Sequence, residues 1–442
     1  MTLKKQLYKL TLPIFIEVAL VMLLGAVDTI MLSRYSDDAV AAVGLDNQLI
    51  SLVFLVYQFV SMGAAILCAQ YIGAKLQKRL VQVVGIAIVL NTLMGMVISA
   101  TLWFWADPIL QFMGLRPGLL PDGITYLKIT GLLSFFQAIS LTLSASLRAA
   151  DKVVWPMLAT AAVNVLNIAG NYALIFGHWG CPEMGVEGAA WATAGSRIAA
   201  TLILLVVHFR CHIPRIPLSY FRPFPWQELR NLLRIGVPAM SEEMSYSSSQ
   251  LTVMFFINMI STEALATRTY CFTTVSFGFL FVVAVAQGGG ILVGHLVGQH
   301  RYRGAYILGN YMYRLALVVS MTGSVCIALI GWPLLNFLTD NQEIIRLGTW
   351  VFVIDVFLSF GRIRNIFACS TLRAAGDVVY PVVVGITVQW SVAVGLSWLL
   401  GIPLGYGLLG MWVAFALDEN IRGVILMRRW RSLRWQGKAF TK

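Results

Sequence analysis

Charge is what this sequence has least of. Only 12% of its 442 residues are Asp, Glu, Lys or Arg, about half the share usual in a soluble domain. With 58% hydrophobic residues and a mean hydropathy of +0.78, a water-soluble fold is excluded and no stretch is left over for a soluble catalytic domain. Also missing are a phosphate-cradling GxxxxGK[ST] loop, an HExxH zinc motif, a GxSxG elbow and an aspartate-rich diphosphate motif. Neither an enzyme nor ATP-driven work within this chain is expected. Cys68, Cys181, Cys211, Cys271, Cys326 and Cys369 stand singly without metal-ligand spacing, so they read as small apolar residues rather than a disulfide or redox framework. No cofactor is implied.

What is present is a succession of apolar runs. Crossing a hydrocarbon core of about 30 Å takes roughly 20 apolar residues in a helix, and twelve such spans are placed at 11–33, 46–70, 81–106, 123–147, 154–177, 185–209, 234–258, 270–297, 305–331, 345–371, 378–400 and 406–427. The first begins too late and runs too long for a cleaved signal peptide, and is expected to stay in the mature protein. Lys and Arg set the orientation, because basic loops stay in the cytoplasm. With the N-terminus inside, Lys4, Lys5, Lys75, Lys78, Arg148, Arg222, Arg301, Arg373 and a basic tail of Arg428, Arg429, Arg431, Arg434, Lys438 and Lys442 fall inside. Only Arg34, Arg116, Arg268 and Arg346 fall in outside loops. The net charge of +12 therefore follows from topology and calls for no nucleic acid. The expectation is a multi-pass protein of the cell (inner) membrane with both termini cytoplasmic.

The halves repeat. LTLPIFIE, ending at Glu17, matches IGVPAMSE, ending at Glu242. The same separation of 225 residues pairs Pro13 with Pro238, Gly73 with Gly298, Arg148 with Arg373 and Pro156 with Pro381. GVEGAAWA near Gly188 matches GLLGMWVA near Gly410 at 222, so only the loop before each half's last span has changed length. An even number of spans per half makes the repeats parallel, and transporters on that plan bind substrate between the halves. The expected organisation is a six-helix lobe over 1–210, a cytoplasmic linker over 211–233 containing a short amphipathic helix (WQELRNLLR), and a second six-helix lobe with the basic tail over 234–442.

The run LPIFIEVALVMLLGAVDTIMLSR, the pair LRAADKVVWP and LRAAGDVVYP, and YIGAK resemble the multidrug and toxic compound extrusion (MATE) family over essentially the whole chain. The resemblance implies an all-α polytopic membrane protein whose two lobes form a V-shaped cleft, exporting organic cations in exchange for sodium ions or protons. A monomer is expected, with small cationic molecules and membrane lipids as its partners.

Ionisable groups at bilayer depth cost several kcal/mol unless paired or hydrated, which makes each a functional candidate. Glu17 and Asp28 lie eleven residues apart, close to three turns, on one helix face and about 16 Å apart. Asp28 in VDTIMLS matches the aspartate that the family uses for cation coupling. A carboxylate held out of water is neutralised by taking up a proton or by binding sodium; the competing role is a permanent hydrogen bond to neighbouring helices. Asn164, Asn167 and Asn171 form one polar stripe at i, i+3 and i+7, able to offer oxygens to sodium or to orient a carboxylate, or to hold helices together. Several relatives carry an aspartate near the Asn171 position, so proton and sodium both stay open as the coupling ion. The polar run SEEMSYSSSQ puts Glu242, Tyr246 and Ser249 on one face and Glu243 with Gln250 on the next, and is expected to line the cleft. Glu17 and Glu242 are repeat partners with either a functional or a scaffolding role. Arg362 stands roughly where some sodium-coupled relatives have an acid, so that second-lobe ion site is not expected here. Arg362 is read instead as a fixed positive charge pairing with Asp355, two turns away, or with a glutamate of the SEEM run. A lipid or polysaccharide flippase is the alternative, less favoured because the acids suit cationic cargo.

Overall fold

The computed structural model describes residues 3–441, so Lys442 lies outside it. Lipid offers no hydrogen bonds, so a spanning backbone must satisfy its own polar groups. Accordingly, most helices join at short turns, a longer connection separates Cys211 from Trp226, and no strand occurs among the described residues. In chain order they are α1 (Leu3–Ser33), α2 (Asp37–Gly73), α3 (Gln77–Phe112), α4 (Leu120–Leu132), α5 (Ser134–Ala149), α6 (Val154–Ile175), α7 (Gly185–Cys211), α8 (Trp226–Asn258), α9 (Thr262–Gly298), α10 (Tyr302–Leu338), α11 (Gln342–Ala374), α12 (Val379–Val388), α13 (Gly395–Gly401) and α14 (Gly407–Arg431). The segment Val379–Gly401 counts as one span, in which α12 and α13 are joined by a π-helical stretch, Gln389–Val394. Among the described residues nine helices are long and apolar enough to cross a membrane, and α4 with α5, bent by 43°, make a tenth when counted as one span. The polar α8 and α14 bring the number to the twelve expected.

Helices run well past the apolar stretches that announce them. α2 begins at Asp37 rather than near residue 46, because Ser36 caps it by accepting from the Asp38 amide at 3.1 Å and two aspartates meet the positive end of its dipole.

The chain forms two compact units, and their borders differ from the expected lobes. One contains Ile16–Val237; the other joins the stretch through Phe15 to everything from Pro238 onward. α1 and α8 are thus divided close to their internal prolines, Pro13 and Pro238. The expected short amphipathic helix is not a separate element but the beginning of the 33-residue α8. The linker and the start of α8 are anchored in the first unit: Tyr71 donates to Glu228 at 2.5 Å and Gln82 donates to the Tyr220 carbonyl at 2.6 Å.

Within the unit of Ile16–Val237, α3 packs on α4 and α5, α2 on α3 and α5, and α6 on α7, around a core that includes Leu32, Tyr57, Leu102, Leu110 and Leu127. The other unit packs α11 on α14, α10 and α9 around Val253, Ile257, Phe352 and Met411. The basic tail is partly folded back. Arg429 and Lys438 pair with Asp377 at 2.9 and 2.7 Å, and Trp435 stacks on Trp430 with ring centres 4.5 Å apart.

Candidate ion and substrate sites

In the first unit Asp28 meets the asparagine stripe. Asn171 Nδ2 donates to Asp28 Oδ1 at 2.7 Å and to Asn167 Oδ1 at 3.0 Å, while Asn167 Nδ2 donates to the Thr193 hydroxyl at 3.2 Å. Asn171 and Asn167 are 1% exposed, and the Asn171 Oδ1 has no partner among the described residues. Asn164 turns its amide to the Leu20 carbonyl at 3.0 Å and also leaves its oxygen unbonded. A cluster that spends its N–H groups internally and keeps oxygens in reserve suits a bound cation or proton.

Two further residues share this neighbourhood: Asp46, which sequence did not single out, and Arg197, visible there as a charge without a readable partner. Asp46 on α2 is fully buried with neither carboxylate oxygen bonded. Arg197 on α7 lies over the Phe54 ring at 5.0 Å with its Nη1 unbonded. Both act electrostatically on the Tyr126 hydroxyl, as does Asp28, so the three charges share one locality.

The repeat-paired glutamates are both held by arginines. Arg148 donates to Glu17 at 2.9 Å and Arg373 donates to Glu242; in each pair the residues are 131 positions apart. A guanidinium from the LRAA segment thus holds the acid near the start of its own half. Glu243 lies beside this pair, within the field of Arg373 and Glu242.

Tyr246, Gln250 and Arg362 come together in the second unit at the wall of one recess. The expected pairing of Arg362 with Asp355 is not formed. Asp355 accepts from Ser359 at 3.0 Å on its own helix, and Arg362 lies 5.6 Å over the Phe279 ring. Nor does Arg362 pair with Glu242, which Arg373 occupies. Two turns along a helix is a longer gap than a bent arginine closes when an aromatic face and a serine lie nearer. Val253, the repeat partner of Asp28, is buried in that unit's core.

Comparison with known proteins follows the same division. The MatE family model matches residues 13–173 and again 238–406. The uncharacterized transporter YisQ of Bacillus subtilis is 36% identical over 429 residues, covering 97% of this chain and 94% of the relative. The probable multidrug resistance protein NorM of Thermotoga maritima is 30% identical, covering 99% and 94%. Among solved structures, the outward-facing conformation of a multidrug resistance MATE family transporter superposes with a TM-score of 0.87 at 18% identity, covering 98% of this chain and 96% of that one. A MATE crystallised in the bent conformation matches with the same score, at 19% identity and 97% and 95% coverage.

Proposed function

The chain belongs to the MatE family of multi-pass membrane transporters, and on that premise we propose that it is a secondary active exporter of organic cations and drugs. It exchanges them for protons or sodium ions by alternating access, with both termini in the cytoplasm of a cell whose inner membrane it spans as a monomer. The observation that carries this reading is the Asp28–Asn171 contact at 2.7 Å with the unbonded Asn171 oxygen beside it. A carboxylate at that depth needs a neutralising partner. Arg197 acts on Asp28 but makes no ion pair with it, so the carboxylate is left available to an exchangeable ion. When a proton or sodium ion occupies Asp28, the Asn171 amide keeps the carboxylate oriented, and Asn167 and Thr193 keep Asn171 oriented in turn.

Efflux of a fluorescent organic cation from proteoliposomes, driven separately by a proton and by a sodium gradient, tests the proposal. Wild type is expected to respond to at least one gradient, and Asp28→Asn, which retains the hydrogen-bonding shape, is expected to lose that response. A variant that keeps full gradient-driven efflux sinks the coupling role of Asp28; a wild type that moves no cation under either gradient sinks the exporter reading.

A further inference from the structure

The internal duplication allows the two units to be compared position by position, and their polar interiors differ in sign. In the first unit the guanidinium of Arg197 lies over Phe54 in the locality of Asp28 and Asp46. Phe279 is the repeat partner of Phe54, 225 residues on, and it too carries a guanidinium over its face, that of Arg362. The arginine comes from a different helix, yet the aromatic platform is the same. The acids are not retained: the partners of Asp28 and Asp46 are Val253 and Cys271.

The recess around Arg362 is also lined by Arg268, Arg422, Asp418 and Glu419. Its two carboxylates are already engaged. Arg422 bonds both oxygens of Asp418 and lies 3.2 Å from Glu419 Oε1, and Asn365 donates to Glu419 Oε2 at 2.8 Å. One arginine therefore serves two acids. Arg268 has only the neutral Gln250 oxygen at 3.0 Å, and Arg362 only an aromatic face. Among the described residues neither has an ion pair. The charge left without an ion pair in the recess is positive, on two guanidiniums whose planar forks match a carboxylate.

We infer that this recess of the second unit is a binding site for the carboxylate of a small organic anion or zwitterion, held between Arg268 and Arg362. The recess has a volume of about 30 Å³, on the order of the space a carboxylate group takes and no more. Phe272 and Trp412 in the wall give the attached organic part an apolar surface. The site goes beyond the exporter reading and does not depend on it, because binding is measured without transport.

The probe is benzoate, with benzamide as its uncharged counterpart, titrated calorimetrically into the purified full-length protein in chloride-free detergent buffer. Benzoate is expected to bind saturably and benzamide not. Arg362→Gln and Arg268→Gln are each expected to weaken benzoate by ~10-fold or more, and Arg362→Lys, which keeps the charge but loses the fork, by less. Each variant is first checked for a wild-type unfolding temperature, and the two positions give independent readings should one variant not fold. Equal binding of benzamide, absence of benzoate binding to wild type, or unchanged affinity in the folded Gln variants overturns the inference. Displacement of benzoate by equimolar chloride overturns the carboxylate assignment in favour of a simple halide site.

Discussion

His212, just beyond the end of α7, shows how burial at a single residue makes stability depend on pH. Burial, and after it the charge of Lys152, pushes the imidazole down to about 4, and its ring meets that of His208 at 5.2 Å. In the unfolded chain the same group takes up its proton near pH 6.5. As pH falls from 6.5 toward 4 the unfolded state therefore binds a proton that the folded state refuses, and stability is lost across that window; above it, His212 contributes nothing. Unfolding temperatures in detergent at pH 7.5 and pH 5 are expected to differ less for His212→Gln than for wild type, and equal differences would refute the assignment. Residues of the candidate ion site were legible where they broke an apolar run: Asp28 and the spacing of Asn164, Asn167 and Asn171 needed only the helical period. Asp46 escaped because it stood at the expected edge of a span, where an acid reads as solvated; only the Ser36 cap, which starts α2 nine residues earlier, carries it inside. Arg197 and Arg362 were visible as charges, but what they touch was not, since an aromatic face competes with a carboxylate and leaves no periodic trace in sequence.

At the scale of the element, the duplication extends to how each half begins. The residues before Pro238 pack with the first unit, where Gly63 of α2 comes close to the Leu232 carbonyl and Gly236 close to that of Phe59. In the other unit Gly288, the repeat partner of Gly63, lies against Leu10 and Thr11 of α1. Each leading segment therefore docks on a helix of the opposite half through a glycine. A Cβ on Gly236 would stand 2.5 Å from the Phe59 backbone oxygen, which cannot swing aside as the end of a side chain can. Overpacking of this kind costs about 1–3 kcal/mol. Gly236→Ala is expected to lower the unfolding temperature measured in detergent, whereas Gly25→Ala, where nothing lies within 4 Å, is expected not to lower it; equal values for the two variants would show that the close approach does not matter. Twelve spans and their approximate positions were legible in the sequence, because length and hydropathy are properties of the span itself. It did not give the 43° bend between α4 and α5, which has no proline at Leu133 to announce it, nor the π-helical stretch from Gln389. It also read WQELRNLLR as a separate surface helix, because a change from amphipathic to apolar composition resembles an end of helix. α8 continues through that change and through Pro238.

For the whole molecule, the exchange of leading segments means that the covalent connection between the halves is not what keeps each unit complete. The unit that contains Pro238 onward also requires the residues through Phe15, and the unit of Ile16–Val237 includes the start of α8. Cutting the chain between α7 and α8, for example at a protease site introduced after Arg215, would leave the first fragment supplying α1's beginning to the second unit. The second fragment would still supply Trp226–Val237 to the first. Tyr71–Glu228 at 2.5 Å and Arg148–Glu17 at 2.9 Å lie in the first unit; only the former joins the two fragments, and it is buried. On the other side, Tyr8 and Tyr311 hydrogen-bond at 3.2 Å and Lys4 lies 4.8 Å over the Tyr311 ring, so contacts of both units cross the cut. After complete cleavage in mild detergent the two fragments are expected to elute together on size exclusion and to separate only on denaturation. Fragments that part without denaturant would show that the crossed segments contribute too little to hold the halves and that the linker is the tie between them.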